Sequence, residues 1–143
     1  MADVIIESDL TLYELQDPPI GEAEKAVAGY AAEMVHDGDC IQLGFGGIPN
    51  AIGFELMDRH DLGIHTEQIG TSMAHLMACG AVTNRYKSID QGITVGSFIS
   101  GDNFLYDFVD QHPRLTVRRS RYTNDPYVCL LYTSDAADDL TRV

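Results

Sequence analysis

The stretch Ile41-Gln42-Leu43-Gly44-Phe45-Gly46-Gly47-Ile48-Pro49-Asn50-Ala51-Ile52 passes from apolar residues through three glycines and back into apolar ones. Cys40 to Leu43 before the glycines reads as a short strand. Ala51, Ile52, Phe54, Leu56 and Met57 after them read as a helix ending near His60, and Leu62-Gly63-Ile64-His65-Thr66 as a second strand. Strand, glycine turn, helix and strand make a βαβ unit. At Gly44-Phe45-Gly46-Gly47 the missing Cβ atoms let main-chain N–H groups face outward, and the helix that follows adds the positive end of its dipole. Such a turn suits a phosphate, a carboxylate or a developing oxyanion. A tight turn that needs glycine only for packing is the plain alternative.

The same alternation extends along the chain. Upstream, Ala23, Ala26, Val27, Tyr30, Ala31, Met34 and Val35 fall at the spacing of one apolar helix face. Pro18 and Pro19 precede them and Gly38 stands where a left-handed C-terminal cap belongs, so a helix is predicted over about residues 22–36. Downstream, Met73, Leu76 and Met77 predict a helix to Cys79, and Ile93 to Phe98 a strand. Phe104, Leu105, Phe108 and Val109 predict a last helix before a strand at Leu115-Thr116-Val117. The expected fold is α/β, an open, mostly parallel sheet with flanking helices. Residues 1–21 read as a connecting segment and 22–128 as the α/β domain. Asn124-Asp125-Pro126-Tyr127 reads as a turn, and 129–143 shows neither helical nor alternating periodicity.

Composition excludes several classes of partner. The 143 residues carry 22 acidic against 9 basic side chains, a formal charge of −13, which disfavours nucleic acid and anionic membrane surfaces. No apolar run approaches the roughly 20 residues that span a bilayer, and Met1-Ala2-Asp3 opens no signal peptide, so the expected location is cytoplasmic. Cys40, Cys79 and Cys129 form no Cys-x-x-Cys pair and are expected to be buried free thiols. His60, His65 and His75 have no zinc-like spacing, and no metal is expected. His65 is expected to be structural and to pack near Glu67. Arg114, Arg118, Arg119 and Arg121 form a basic cluster, read either as a solvated strand edge or, with Arg85 and Lys87, as a complement to an anionic substrate.

Two functional readings compete for the glycine turn. Gly44-x-Gly46 in a βαβ unit with an acidic residue downstream matches part of a dinucleotide fingerprint, but Pro49 stands in the third glycine's place. No Gly-Lys-Ser or Gly-Lys-Thr occurs, which excludes a Walker loop. The second reading rests on Glu67 at the end of the second predicted strand. The interval from Pro49 holds one helix and one strand, so the turn and the carboxylate are expected at the same sheet edge. A carboxylate beside an oxyanion-stabilising turn is a nucleophile arrangement.

LGFGGIPNAI with DLGIHTEQIG, followed in order by AVTNRYKSID, LYDFVDQHP and YTNDPYV, resembles the acetyl-CoA hydrolase/transferase family. That family lies within the class I CoA-transferases, which act on 4-hydroxybutyrate, butyrate and acetate. The similarity covers roughly residues 3 to 128. It implies that Glu67 is the nucleophile and that Gly44, Phe45, Gly46, Gly47 and Ile48 line the coenzyme A site. It also implies transfer of CoA between an acyl-CoA and a small carboxylic acid through a glutamyl-CoA thioester, with acyl-CoA hydrolysis as an accompanying activity. Acyl-CoA is then substrate, no cofactor is held permanently, and homo-oligomerisation stays open. Family members are longer, so the chain is expected to be an internal fragment. The second glycine-rich motif that completes the family's site has no counterpart here. CLLYTSDAADD departs from the family and resembles a translated sequencing-library adapter, so 129–143 is expected to be artefactual. A dinucleotide-binding oxidoreductase fragment and a non-catalytic CoA-binding module remain the alternatives.

Overall fold

The computed structural model describes residues 3–132. Its elements are α1 (Glu22–Glu33), β1 (Cys40–Ile41), α2 (Gly47–Glu55), β2 (Gly63–Ile64), β3 (Gln68–Ile69) and α3 (Thr71–Ala78). They are followed by β4 (Thr94–Gly96), β5 (Phe98–Ile99), α4 (Asn103–Val109), β6 (Leu115–Val117), α5 (Ser120–Thr123) and α6 (Pro126–Tyr132). All three strand pairs are parallel: β1 with β2, β3 with β5, and β4 with β6. A single parallel bridge from His65 to Val95 sets β2 beside β4, so β1, β2, β4 and β6 lie in a row. The expected α/β class with parallel strands is what forms.

Side chains complete the seam between β2 and β4, where backbone pairing is thin. Asn84 Oδ1 accepts from the Ile64 N–H at 2.9 Å, and Asn84 Nδ2 donates to Thr94 Oγ1 at 2.9 Å. Lys87 Nζ donates to the carbonyls of Ile64 at 2.9 Å and Ile93 at 2.7 Å. Buried backbone groups must be paired, and here an amide and an ammonium do what a longer ladder would do. Lys87 is 2% exposed and reaches the seam over Gly63, where a Cβ would lie 2.6 Å from Lys87 Cγ. Burial pulls the Lys87 ammonium below its usual range. The reading of Lys87 as an anion-binding group is therefore corrected: its donors are turned inward.

The core lies between this sheet and the helices, with Leu56, Leu62, Ile64, Ile69, Leu76 and Leu105 fully buried. Three local expectations change. Helix α1 exists, but it ends at Glu33, and Gly38, with a left-handed φ of +87°, serves the turn into β1 instead. Its expected apolar face is the outward one: Tyr30 and Met34 are exposed, while Ala28 and Ala32 are buried. Asn124-Asp125-Pro126-Tyr127 is a helix start rather than a turn, since Asp125 Oδ1 accepts from the Tyr127 N–H at 2.9 Å and Pro126 opens α6. Helix α6 runs through Cys129 to Tyr132 without a break at residue 128; the rest of the expected tail, 133–143, lies outside the described residues. Residues 3–20 carry no helix or strand. They are tied to α4 and the residues just before it by the Leu15 N–H to the Gly101 carbonyl at 2.9 Å and by Tyr106 Oη to the Tyr13 carbonyl at 3.1 Å. Cys79 is exposed, against the expectation of buried thiols; burial pushes the Cys40 thiol up to about 11.

Candidate functional site

Register fixes which groups share an edge. Ile41 of β1 faces Ile64 of β2 in parallel, and three residues further on stand Gly44 and Glu67. Both chains therefore leave the sheet on the same side, where open α/β sheets gather their ligands. The Thr66 hydroxyl links the two exits, lying 3.3 Å from the Leu43 carbonyl and 3.0 Å from that of Gln68.

Two helices begin at this edge. Helix α2 starts after Gly46, whose φ of +122° is a conformation side-chain-bearing residues rarely adopt. Helix α3 starts after Gly70, and at neither helix does the N-cap residue supply a side-chain hydrogen bond. First-turn N–H groups have no earlier helical carbonyl to bond, so both starts offer donors and a positive dipole end. One of them is used across the gap: the Ser72 N–H donates to Asn50 Oδ1 at 3.2 Å, which couples α3 to α2.

Between the two starts lies a narrow cleft of about 20 Å³, room for one water-sized group such as a carbonyl oxygen. Gly44, Phe45 and Gly46 line one side, Gly70 to Met73 the other, with Gln68 and Asn50 between and Asp17 from the N-terminal segment at its margin. Of the five expected turn residues, Gly44, Phe45 and Gly46 meet in the cleft, and Gly47 and Ile48 lie beyond it in the first turn of α2. Glu67 is exposed at the same edge, and the residue that lines the cleft is its neighbour Gln68. The Glu67 main chain is held by its carbonyl, which accepts from the N–H groups of Ser97 at 2.7 Å and Phe98 at 3.1 Å.

Sequence reading missed the second wall. Gly70-Thr71-Ser72 carries a glycine cap followed by hydroxyl residues, a helix-start signal that only gains meaning once the fold sets it against Gly46. His65 is fully buried beneath this edge, its ring 5.6 Å from that of Tyr122. Burial, aided by the nearby Lys87, pushes its pKa down to about 4, so it is neutral at physiological pH. That agrees with a structural histidine. His75 stacks on Phe104 at 4.2 Å, and His60 is exposed beside Asp37. In the basic cluster, Arg118 pairs with Asp90 at 3.2 Å, and Arg114, Arg119 and Arg121 are exposed. No helix among the described residues is long and apolar enough to cross a membrane.

An α/β unit with paired helix starts at the carboxyl ends of parallel strands presents main-chain donors of the kind that suit an anionic group. Relatives narrow the choice. No family model matches the chain. The succinyl-CoA:cyclohexane-1-carboxylate CoA transferase of Geobacter metallireducens is 45% identical over 125 residues, covering 87% of this chain and 29% of the relative. The 4-hydroxybutyrate coenzyme A transferase of Clostridium kluyveri is 37% identical over 128 residues, covering 90% and 30%. Among solved structures, RipA from Yersinia pestis superposes with a TM-score of 0.87 at 34% identity, covering 91% of this chain and 30% of that one. A 4-hydroxybutyrate CoA-transferase from Porphyromonas gingivalis gives a TM-score of 0.79, also at 34% identity, covering 86% and 31%. Over the segment it spans, the chain belongs to the CoA-transferase family, and it covers under a third of the length of these relatives.

Proposed function

We propose that the chain forms part of an enzyme that moves CoA between an acyl-CoA and a small carboxylic acid of the acetate, butyrate or 4-hydroxybutyrate type. The observation that carries this reading is the convergence of two glycine-capped helix starts on one cleft at the ends of β1 and β2. A thioester carbonyl placed there meets main-chain donors, which stabilise the oxyanion formed on attack; losing one such donor costs about 10²–10³ in rate. The thioester is itself the reactive group, so no resident cofactor is needed, and the cytoplasm is the proposed location.

Within this chain the proposed nucleophile is Glu67. Its carboxylate would attack the acyl carbonyl, and collapse of the tetrahedral intermediate would expel CoA thiolate and leave an acyl-glutamyl anhydride. Attack of the thiolate on the glutamyl carbonyl would release the donor's acid as carboxylate and leave a glutamyl-CoA thioester, which an acceptor acid would resolve by the reverse steps. Water reaching that thioester would turn transfer into hydrolysis.

Intact-mass measurement after incubation with butyryl-CoA tests this reading. A CoA-sized gain in the chain, abolished by Glu67→Gln, is the expected result. A gain that survives Glu67→Gln moves the nucleophile elsewhere. Butyryl-CoA binding in titration calorimetry without any mass gain supports the non-catalytic CoA-binding reading, and neither binding nor gain removes the function from this chain.

A further inference from the structure

Helix α5 lies outside the cleft lining, yet its hydrogen bonds run to residues that hold the neighbours of that lining. Thr123 is 1% exposed and its hydroxyl is hydrogen-bonded to Ser97 Oγ. Ser97, with Phe98, donates its main-chain N–H to the Glu67 carbonyl, and Glu67 is flanked by Thr66, which bridges to Leu43, and by Gln68, which lines the cleft. On the other side of the helix, Tyr122 Oη donates to Asp90 Oδ2 at 2.7 Å while Arg118 Nη2 donates to Asp90 Oδ1 at 3.2 Å. The Arg118 guanidinium lies 5.3 Å over the Tyr122 ring, which in turn packs on His65. The Arg118 N–H is fixed to the Gly96 carbonyl at 2.7 Å, so the segment enters α5 already anchored to β4.

We propose that α5 is a clamp that sets the position of the Thr66–Gln68 segment beside the cleft, with Thr123 acting through Ser97 and Tyr122 acting through Asp90 and His65. Both are positioning residues. Short strands such as β2 and β3 supply little ladder of their own, so a segment built on them takes its rigidity from side-chain contacts. Thr123→Val keeps the shape of the side chain and removes the hydroxyl from the link, and Tyr122→Phe removes only the phenol donor from Asp90.

Amide hydrogen exchange reads the clamp directly. In Thr123→Val the Ser97 and Phe98 amides should exchange roughly three- to tenfold faster, the factor set by one hydrogen bond, with the Ile64 amide on the far seam unchanged. Thr123→Ser should restore protection, and Tyr122→Phe should loosen the same amides by a similar or smaller factor. Unchanged exchange at Ser97 and Phe98 in both Thr123→Val and Tyr122→Phe overturns the clamp. So does an equal rise at every amide, which marks general destabilisation. The binding arm rests on the proposed function: butyryl-CoA affinity should fall by the same factor in Thr123→Val and return in Thr123→Ser. Loosened amides with unchanged affinity overturn the clamp's role in binding. If the unaltered chain binds no butyryl-CoA, the proposed function falls while the exchange pattern still decides the clamp.

Discussion

Helices α1 and α3 both carry apolar residues at helical spacing, but only α3 turns its larger ones inward. Met73 and Leu76 are 2% and 0% exposed, whereas Tyr30 of α1 and Met34 at its C-cap are 73% and 72% exposed. The neighbours make the difference. Helix α3 packs against both α2 and α4, so most of its circumference is covered; α1 packs against α2. On its inner side α1 presents Ala28 and Ala32, small residues that let helix backbones approach closely, and Arg59 reaches across to the Ala32 carbonyl at 2.9 Å. A stripe in a sequence therefore marks a face, and the partner's shape selects which face is buried.

Mutations can break this contrast or sharpen it. Leu76→Ala leaves a cavity in the best-covered helix and should lower stability by about 2–5 kcal/mol, read as a shift in the urea midpoint. Ala28→Leu overfills the α1–α2 contact and should cost about 1–3 kcal/mol. If it cost nothing, α1 would be loosely seated and the smaller face would not be the packing face. Tyr30→Ser removes a large apolar ring from the outward stripe and should change stability by no more than about 0.5 kcal/mol. A loss as large as that of Leu76→Ala would return the stripe to the core and reverse the comparison.

The same contrast explains what sequence could and could not reveal. The glycine turn, the βαβ unit and the parallel order were legible because each is encoded locally: glycines between apolar runs, then helical periodicity, then a short apolar run. The shared edge of Gly44 and Glu67 followed from element lengths alone. The facing of α1 was not legible, because burial depends on a partner many residues away. Nor was the β2–β4 seam, since nothing near Asn84 or Lys87 in sequence announces that their side chains will replace a strand ladder. Helix α6 was hidden differently: Asp125-Pro126 serves equally as a turn and as a capped helix start, and local chemistry does not choose. In the cleft, one wall was visible in the sequence, and Gly70 to Met73 and Asp17 joined it only through the fold.

The seam has a chemical corollary. Thioesters acylate accessible amines without any enzyme, and a protein that meets them repeatedly is exposed to slow damage at its lysines. This chain has two lysines, Lys25 and Lys87. The amine of Lys87 is enclosed and committed to the carbonyls of Ile64 and Ile93, so the bond that holds β2 to β4 also withdraws it from acylating reagents. Lys25, with a side chain 56% exposed on α1 and paired with Glu22 at 3.1 Å, is the lysine that solvent reaches.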